Sequence, residues 1–469
     1  MGFAEVLLVF LVVSVFVTYL LKRYAKAESF FVVSLIRSKK PIGFFDSVAR
    51  NVPFLDAFAK IGLILGFGAF AIDYLYGKDM PKAKRIGLFA FSSAALCSLL
   101  ILVDLSMGMP FSKNLMIGSS FPLMVASFGL MGFAGFSLFS LALQAFDIIM
   151  KYLVGIRGCP GVAPLIPGVE IPRVPVTPPL HAWLSLLIIL VVHEAMHGIL
   201  GRRHGFAIKS TGIILFGFLP IGAFVEPDEA ELKRARDESV LPFLAAGPMA
   251  NLLLMLVAGL VLFAGMGISS AAIEHFYPGL TSQAFSGVKV LGVSESTSVC
   301  GSTYPSPAFG LMKAGDIIRK VDNVEITGPD KLYAGLQRDR GSEKSFLLDR
   351  NGSDVLVSMK PNEMGQFGFT MEPMRNESLV VPEGYKAIAF ASYYLLDFIY
   401  WLFLLNFLVA VINFLPMHPF DGGRIGKIIF GQYFISPGRS KEESQDLVAR
   451  FFMAAIFVLL LINALPLLF

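Results

Sequence analysis

The sequence is poor in charge, in cysteine and in tryptophan. Of 469 residues only 16% are Asp, Glu, Lys or Arg, against about a quarter in ordinary soluble proteins. Hydrophobic residues make up 55%, and the mean hydropathy is +0.68. That balance excludes a soluble globular chain and puts most residues in lipid. Three cysteines, Cys97, Cys159 and Cys300, are too few for a disulfide framework and lack the spacing of a Cys-type zinc site. Cys97 falls in an apolar run and reads as inert. Cys159 and Cys300 fall in segments expected outside the membrane, and a bridge between them stays open. The net charge is only +4, and no basic stripe of the nucleic-acid-binding kind is present. Nucleic acid is excluded as a partner.

What the chain does have is long apolar runs. Eight read as spanning helices, at about 3–21, 57–76, 86–103, 121–146, 182–201, 241–265, 387–412 and 449–468. Each is near the roughly 20 residues a bilayer core requires; Lys60 and Asp73 interrupt the second. The first run has no basic residue before it and Lys22, Arg23 and Lys26 after it, the order of an uncleaved anchor with its N-terminus outside. The loop that follows also carries Arg37, Lys39, Lys40 and Arg50 and is expected in the cytoplasm. Threading from there places 148–180 outside, Arg202, Arg203 and Lys209 inside, 266–386 outside and 427–447 inside. Lys78, Lys82, Lys84 and Arg85 then lie outside, against the positive-inside rule. Two sequons, at Asn351 and Asn376, fall in the expected external region.

Composition divides the chain. Residues 1–150 read as a four-helix membrane region. Residues 151–180 are rich in Pro and Gly and exclude a helix. Residues 208–229, IKSTGIILFGFLPIGAFVEPDE, are too short to cross and are broken by Gly212, Gly217, Pro220 and Gly222. Irregular backbone at membrane depth must be satisfied by protein or a wet cavity, so a re-entrant β-hairpin is expected there. Within 285–375, strand-like runs alternate with turns. Gly315-Asp316 opens one strand and Asp322-Asn323 turns into the next. This segment looks like a PDZ domain, a fold that binds peptide by adding a strand to a sheet edge. The expected fold class is therefore a polytopic α-helical membrane protein of about eight transmembrane helices, with a re-entrant β-hairpin and an inserted external PDZ-like α+β domain.

One spanning run ends VVHEAMHGILGRRHG, residues 191–205. Ionisable groups inside a membrane are costly and point to function. His193 and His197 lie four apart, so on a helix they share a face and reach one metal ion. Catalytic zinc takes three protein ligands and leaves a position for water, whose pKa falls to about 7. Glu194, beside the first ligand, is placed to take that water's proton. His204, His181 and His275 read as interfacial residues. A third ligand must come from elsewhere, and the seventh span ends NFLPMHPFDGGRI, residues 413–425. There Asp421 is either a ligand or a cap on the next helix. His418 is the rival ligand, but Pro419 biases it toward extended backbone, whereas Asp421 brings a charge that offsets the metal's in low dielectric.

Together these residues resemble the site-2 protease family of intramembrane zinc metalloproteases. The family pattern is HExxH on one helix, G-P-x-x-N on the next and N-x-x-P…D-G on a third. Here it is matched by His193–His197, Gly247-Pro248-Met249-Ala250-Asn251, and Asn413 through Asp421-Gly422. Phe420 replaces the usual Leu before Asp-Gly. The resemblance implies core helices in 181–267 and 385–469 flanking the PDZ-like domain. It makes Zn2+ the cofactor, His193, His197 and Asp421 its ligands, and Glu194 the general base. Asn251 and Asn413 would face the cavity, toward the oxyanion or the substrate backbone; the alternative is amides that pack helices together. The substrates implied are transmembrane proteins, cut toward the cytoplasmic half of the bilayer, with the hairpin edge clamping an unwound segment. A metal transporter or sensor using the same His and Asp is the other functional class. It requires an inverted repeat or a second polar span, and neither is visible. No Cys-rich insertion is present, which favours a prokaryotic, archaeal-type cell membrane with the PDZ-like domain outside.

Overall fold

In a computed structural model, the described residues are 3–106, 120–156, 158–171, 174, 176–299, 302–338, 341–434 and 440–468. The chain opens with α1 (Phe3–Tyr24), strands β1 (Glu28–Phe30) and β2 (Val33–Ser38), and the short helix α2 (Pro41–Asn51). Next come α3 (Leu55–Ile72), continued by a π-helical turn Asp73–Gly77, then α4 (Lys82–Ser106) and α5 (Phe121–Leu153). The centre of the molecule is α6 (Ala182–Arg203), β3 (Ile208–Phe216), β4 (Leu219–Pro227), α7 (Glu229–Arg234) and α8 (Asp237–Phe276). After an inserted module the chain returns as α11 (Glu383–Asn413), α12 (Asp421–Gly431) and α13 (Lys441–Ala464).

Among the described residues seven helical segments are long and apolar enough to cross a membrane: Leu55–Gly77, Lys82–Ser106, Phe121–Leu153, Ala182–Arg203, Asp237–Phe276, Glu383–Asn413 and Lys441–Leu467. They coincide with seven of the eight expected spans, and the remaining run, 3–21, lies in α1. The second expected span differs from a simple crossing. Asp56, at its start, pairs with Arg203 and His204 at the end of α6. At its far end Tyr74 donates to Asp237, 2.8 Å, and Asp73 takes two bonds from Arg85 and one from Tyr433. Lys441 also reaches Asp237, 2.7 Å. Phe206, just beyond α6, packs on Phe243, just inside α8, so both ends of α3 meet one end of the bundle. The cause is a break at Gly68 (φ 57°, ψ −141°), which meets a matching break at Gly132 of α5 (φ 57°, ψ −146°). A side chain at either glycine would strike the other helix's backbone. Arg85 thereby sits at the same end of the bundle as Lys441.

The hairpin expected at 208–229 forms as β3 and β4, but within a larger sheet. The order is β1-β2-β3-β4, antiparallel throughout, with Val33 opposite Phe216 and Arg37 opposite Gly212. One end is polar, with Arg37 bonded to Glu226 and Lys209 to Asp228. The other end carries the exposed rings of Phe30, Phe31 and Phe218. At that apolar tip Gly217 donates to Val32 O and lies against Ser14, near the midpoint of α1. Strands β1 and β2 were not expected from the sequence.

The inserted module holds α9 (Leu280–Gln283), β5 (Phe285–Val293), a hairpin β6 (Ser296–Val299)–β7 (Ser302–Pro305), β8 (Ile317–Val321), β9 (Val324–Glu325), α10 (Pro329–Gln337), β10 (Lys344–Arg350), β11 (Ser353–Met359) and β12 (Phe369–Arg375). Its sheet runs β11-β10-β8-β5-β12, with β9 on β8. Val288, Ile318, Leu332, Phe346 and Leu348 are wholly buried at its core. Cys300, between β6 and β7, lies outside the described residues. Cys159 is disulfide-bonded and Cys97 is a free thiol.

Candidate metal centre

Helix α6 carries the first two side chains of the site. Its apolar first half packs against α11 through Ala182, Ile189, Trp401 and Leu405. Arg202 and Arg203 complement the negative end of its dipole, and Gly205, at φ 82°, turns the chain away. Four-residue spacing brings the imidazoles of His193 and His197 to 4.8 Å between centroids, both rings buried.

Asp421 enters from the other side as the first residue of α12. The turn before it is tight: Pro416 and Pro419 exclude helix, and the His418–Pro419 bond is cis. The two glycines after Asp421 have a steric reason. A side chain at Gly422 would strike the backbone of Phe414 and Leu415, and one at Gly423 that of Met417 and His418. The start of α12 thus folds back onto the turn that precedes it.

These three side chains converge. His193 Nε2 and His197 Nε2 are 3.1 Å apart, and each is 3.2 Å from Asp421 Oδ2. The atoms form a nearly equilateral triangle. Ligand atoms about 2.0–2.1 Å from a tetrahedral zinc stand about 3.3 Å from one another, so the spacing suits such an ion. The hydrogen bonds behind the rings fit too. His197 Nδ1 donates to the carbonyl of Phe243, 2.8 Å, and a carbonyl only accepts, so Nε2 keeps its lone pair. His193 Nδ1 lies 2.9 Å from the amide nitrogen of Asn251, whose Oδ1 is buried without a partner. Half a turn of the amide presents Oδ1 to the Nδ1–H instead, satisfying both groups and freeing Nε2. Gly247 completes the cradle: a side chain there would overlap the Nε2 of both histidines. Neither His418 nor Glu194 belongs to this trio.

Glu194, Asn413, His418 and Asp421 line one cavity of about 390 Å³, which also reaches Val225, Glu229 and Arg424. Glu194 is fixed by a single bond, accepting the backbone N–H of Val225 at 2.9 Å. Strand β4 is the outer strand of its sheet, so that N–H can leave the ladder and serve a side chain. Asn413 lines the cavity while its amide donates to Val409 O, 2.9 Å. Asn251, by contrast, is wholly buried behind His193. His418 is exposed, and its imidazole is pushed below the ordinary value, first by partial desolvation and then by the charges of Arg424 and Lys427. His204 and His181 instead form pairs with Asp56 and Asp397.

Sequence reasoning missed the Val225 N–H, the Phe243 carbonyl and the cradle at Gly247. Only the last had a signal, a Gly-Pro inside a spanning run. The model of peptidase family M50 matches residues 181–460, taking in both histidines, Glu194, Asn251 and Asp421. The chain belongs to peptidase family M50. It is also similar to the uncharacterized protein MJ0971 of Methanocaldococcus jannaschii, 28% identical over 263 residues. That match covers 56% of this chain and 56% of the relative's length. Membership of M50 supports a metallopeptidase, and the seven described helices apolar enough to span are compatible with a polytopic membrane protein. Helices α1 to α5 lie outside the matched segment.

Proposed function

We propose that the chain is an intramembrane zinc metalloprotease that hydrolyses peptide bonds within transmembrane segments of membrane-anchored proteins. The observation that carries the reading is the pairing of a three-ligand triangle with a separate carboxylate, Glu194, in one cavity. His193, His197 and Asp421 would hold zinc, which when bound polarises a carbonyl and acidifies water. Glu194 takes a proton from a water in the cavity and returns it to the leaving amine. Its bond from Val225 leaves one oxygen for that task. Asn413 is the polar group placed to meet the substrate backbone. The edge of β4, beginning at the residue that fixes Glu194, would receive an unwound substrate segment as an added strand. The apolar sheet tip beside the midpoint of α1 supports a re-entrant position for it. The module at 285–375 reads as a PDZ-like domain outside the cell membrane, acting on substrates as a peptide binder or a size filter. A transporter or sensor leaves the backbone-anchored Glu194 without a role.

The test is a cleavage assay on a panel of single-span substrates in detergent or vesicles, with and without a zinc chelator. Chelator-sensitive cleavage inside the spanning segment supports the proposal. Zinc binding with ion flux and no cleavage would place the chain in the transporter class.

A further inference from the structure

Helices α3 and α5 lie outside the segment matched by the M50 model, yet they meet the chain at the turn that delivers Asp421. Phe414, one residue past α11, is wholly buried. Its ring meets Phe67 of α3 edge-on, centroids 6.4 Å apart. It meets Phe133 of α5 nearly parallel, at 6.2 Å and 14°. Gly66 makes room for it, since a side chain there would overlap the Phe414 ring. The backbone of Phe414 in turn fills the space where Gly422 would carry a side chain, one residue from Asp421. Phe67 also reaches α12 itself, through Phe430 at 5.8 Å. The two clamping aromatics each lie beside a helix break, Gly68 and Gly132, and it is at those breaks that α3 and α5 touch backbone to backbone.

We infer that α3 and α5 position the metal ligand: the rings of Phe67 and Phe133 clamp Phe414, and the clamp sets where Asp421 stands against His193 and His197. This rests on reading those three residues as metal ligands. The physical case is that close-packed aromatic contacts leave little slack, so a displaced Phe414 must carry Gly422, and with it Asp421. The histidines are held independently, by Phe243 and Asn251. The N-terminal helices thus act on one side of the triangle only. Phe67 and Phe133 are positioning residues and touch no reacting group.

The test compares metal binding in the purified full-length chain. Phe133→Ala and Phe67→Ala should weaken zinc affinity by about tenfold or more, the usual effect of losing a group that orients a ligand. They should also change the ligand-field absorption of the cobalt(II)-substituted protein. Phe133→Leu, which refills most of the volume, should recover both. The control is Phe89→Ala on α4, whose ring meets Phe70 instead, at 5.0 Å. It should lower thermal stability and leave affinity and spectrum as in the wild type. If Phe133→Ala and Phe67→Ala match Phe89→Ala in affinity and spectrum, the helices only pack and the inference is overturned. Should the alanine variants not fold, Phe133→Val and Phe67→Val, which also lose the ring contact to Phe414, decide by the same two readouts, wild-type values in both overturning it. A wild-type chain that binds no zinc would refute the proposed function instead.

Discussion

Asn251 lays its side-chain amide against Nδ1 of His193 at 2.9 Å, across 58 residues of sequence. The contact fixes which ring nitrogen carries the proton and how the ring is turned. Asn251→Ala should therefore weaken zinc affinity about 10- to 100-fold, as loss of an orienting partner does, while the protein remains folded. Asn251→Asp still offers an oxygen to the ring N–H and should lose less. Competition against a chromophoric chelator measures both. Equal affinities for the alanine variant and the wild type would reduce the amide to helix packing.

Asp421 and His418 line the same cavity, but only Asp421 stands within 3.2 Å of both histidines. Asp421→Ala should abolish stoichiometric zinc and all cleavage. His418→Ala should keep the metal and much of the activity. Metal analysis on folded, detergent-purified protein separates them, and the reverse pattern would transfer the third ligand to His418.

Val225 holds Glu194 through a backbone N–H, so the informative replacement is the residue that lacks one. Val225→Pro removes the donor on an outer strand, where proline is tolerated. Cleavage should fall about ten- to a hundredfold, the worth of one hydrogen bond to a charged group, with zinc content unchanged. Wild-type turnover in that variant would mean Glu194 is oriented by something else.

Much of the site was legible because its chemistry is local. The His193–His197 spacing, the Gly247–Asn251 run and the Asn413–Asp421 run each fit within one helix or one turn. The sheet was half legible. Strands β3 and β4 are nine residues each and joined by a turn, whereas β1 has three residues and β2 six. Such short strands carry little pattern, and β2 finds its partner far along the chain. The break in α3 was hidden for another reason. Gly68 sits among other small and apolar residues, and a helix that bends at one glycine has the same composition as one that crosses. Asn251 was expected to face the cavity but lies buried behind His193, because its direction depends on how α8 is rotated against α6.

Asp316 of the inserted module is buried and takes bonds from Arg350, 2.8 and 2.7 Å, and from the Lys313 N–H. Burial works to raise its carboxyl, but Arg350 and the backbone outweigh it and hold it below the usual range. A carboxyl depressed in the folded state adds stability above its unfolded value near 4, and that stability is lost as pH falls through the folded value. Asp322, held by the Ser345 N–H, and Asp349, held by Arg319, are depressed too and add to the same window. The module should lose protection from proteolysis below about pH 4. Asp316→Asn should be less stable at neutral pH and show a shallower acid loss. An unchanged acid profile in that variant would remove Asp316 from the account.

The central claim is that Glu194 handles a proton while three other residues hold the metal. It is tested most directly by zinc stoichiometry and substrate cleavage measured on the same preparation of Glu194→Gln. Glutamine keeps the shape and can still accept the Val225 N–H, but it cannot take a proton from water. The account predicts wild-type zinc content with cleavage reduced about a thousandfold or more, within the range typical of a lost general base. Loss of zinc, or cleavage near the wild-type rate, would contradict it.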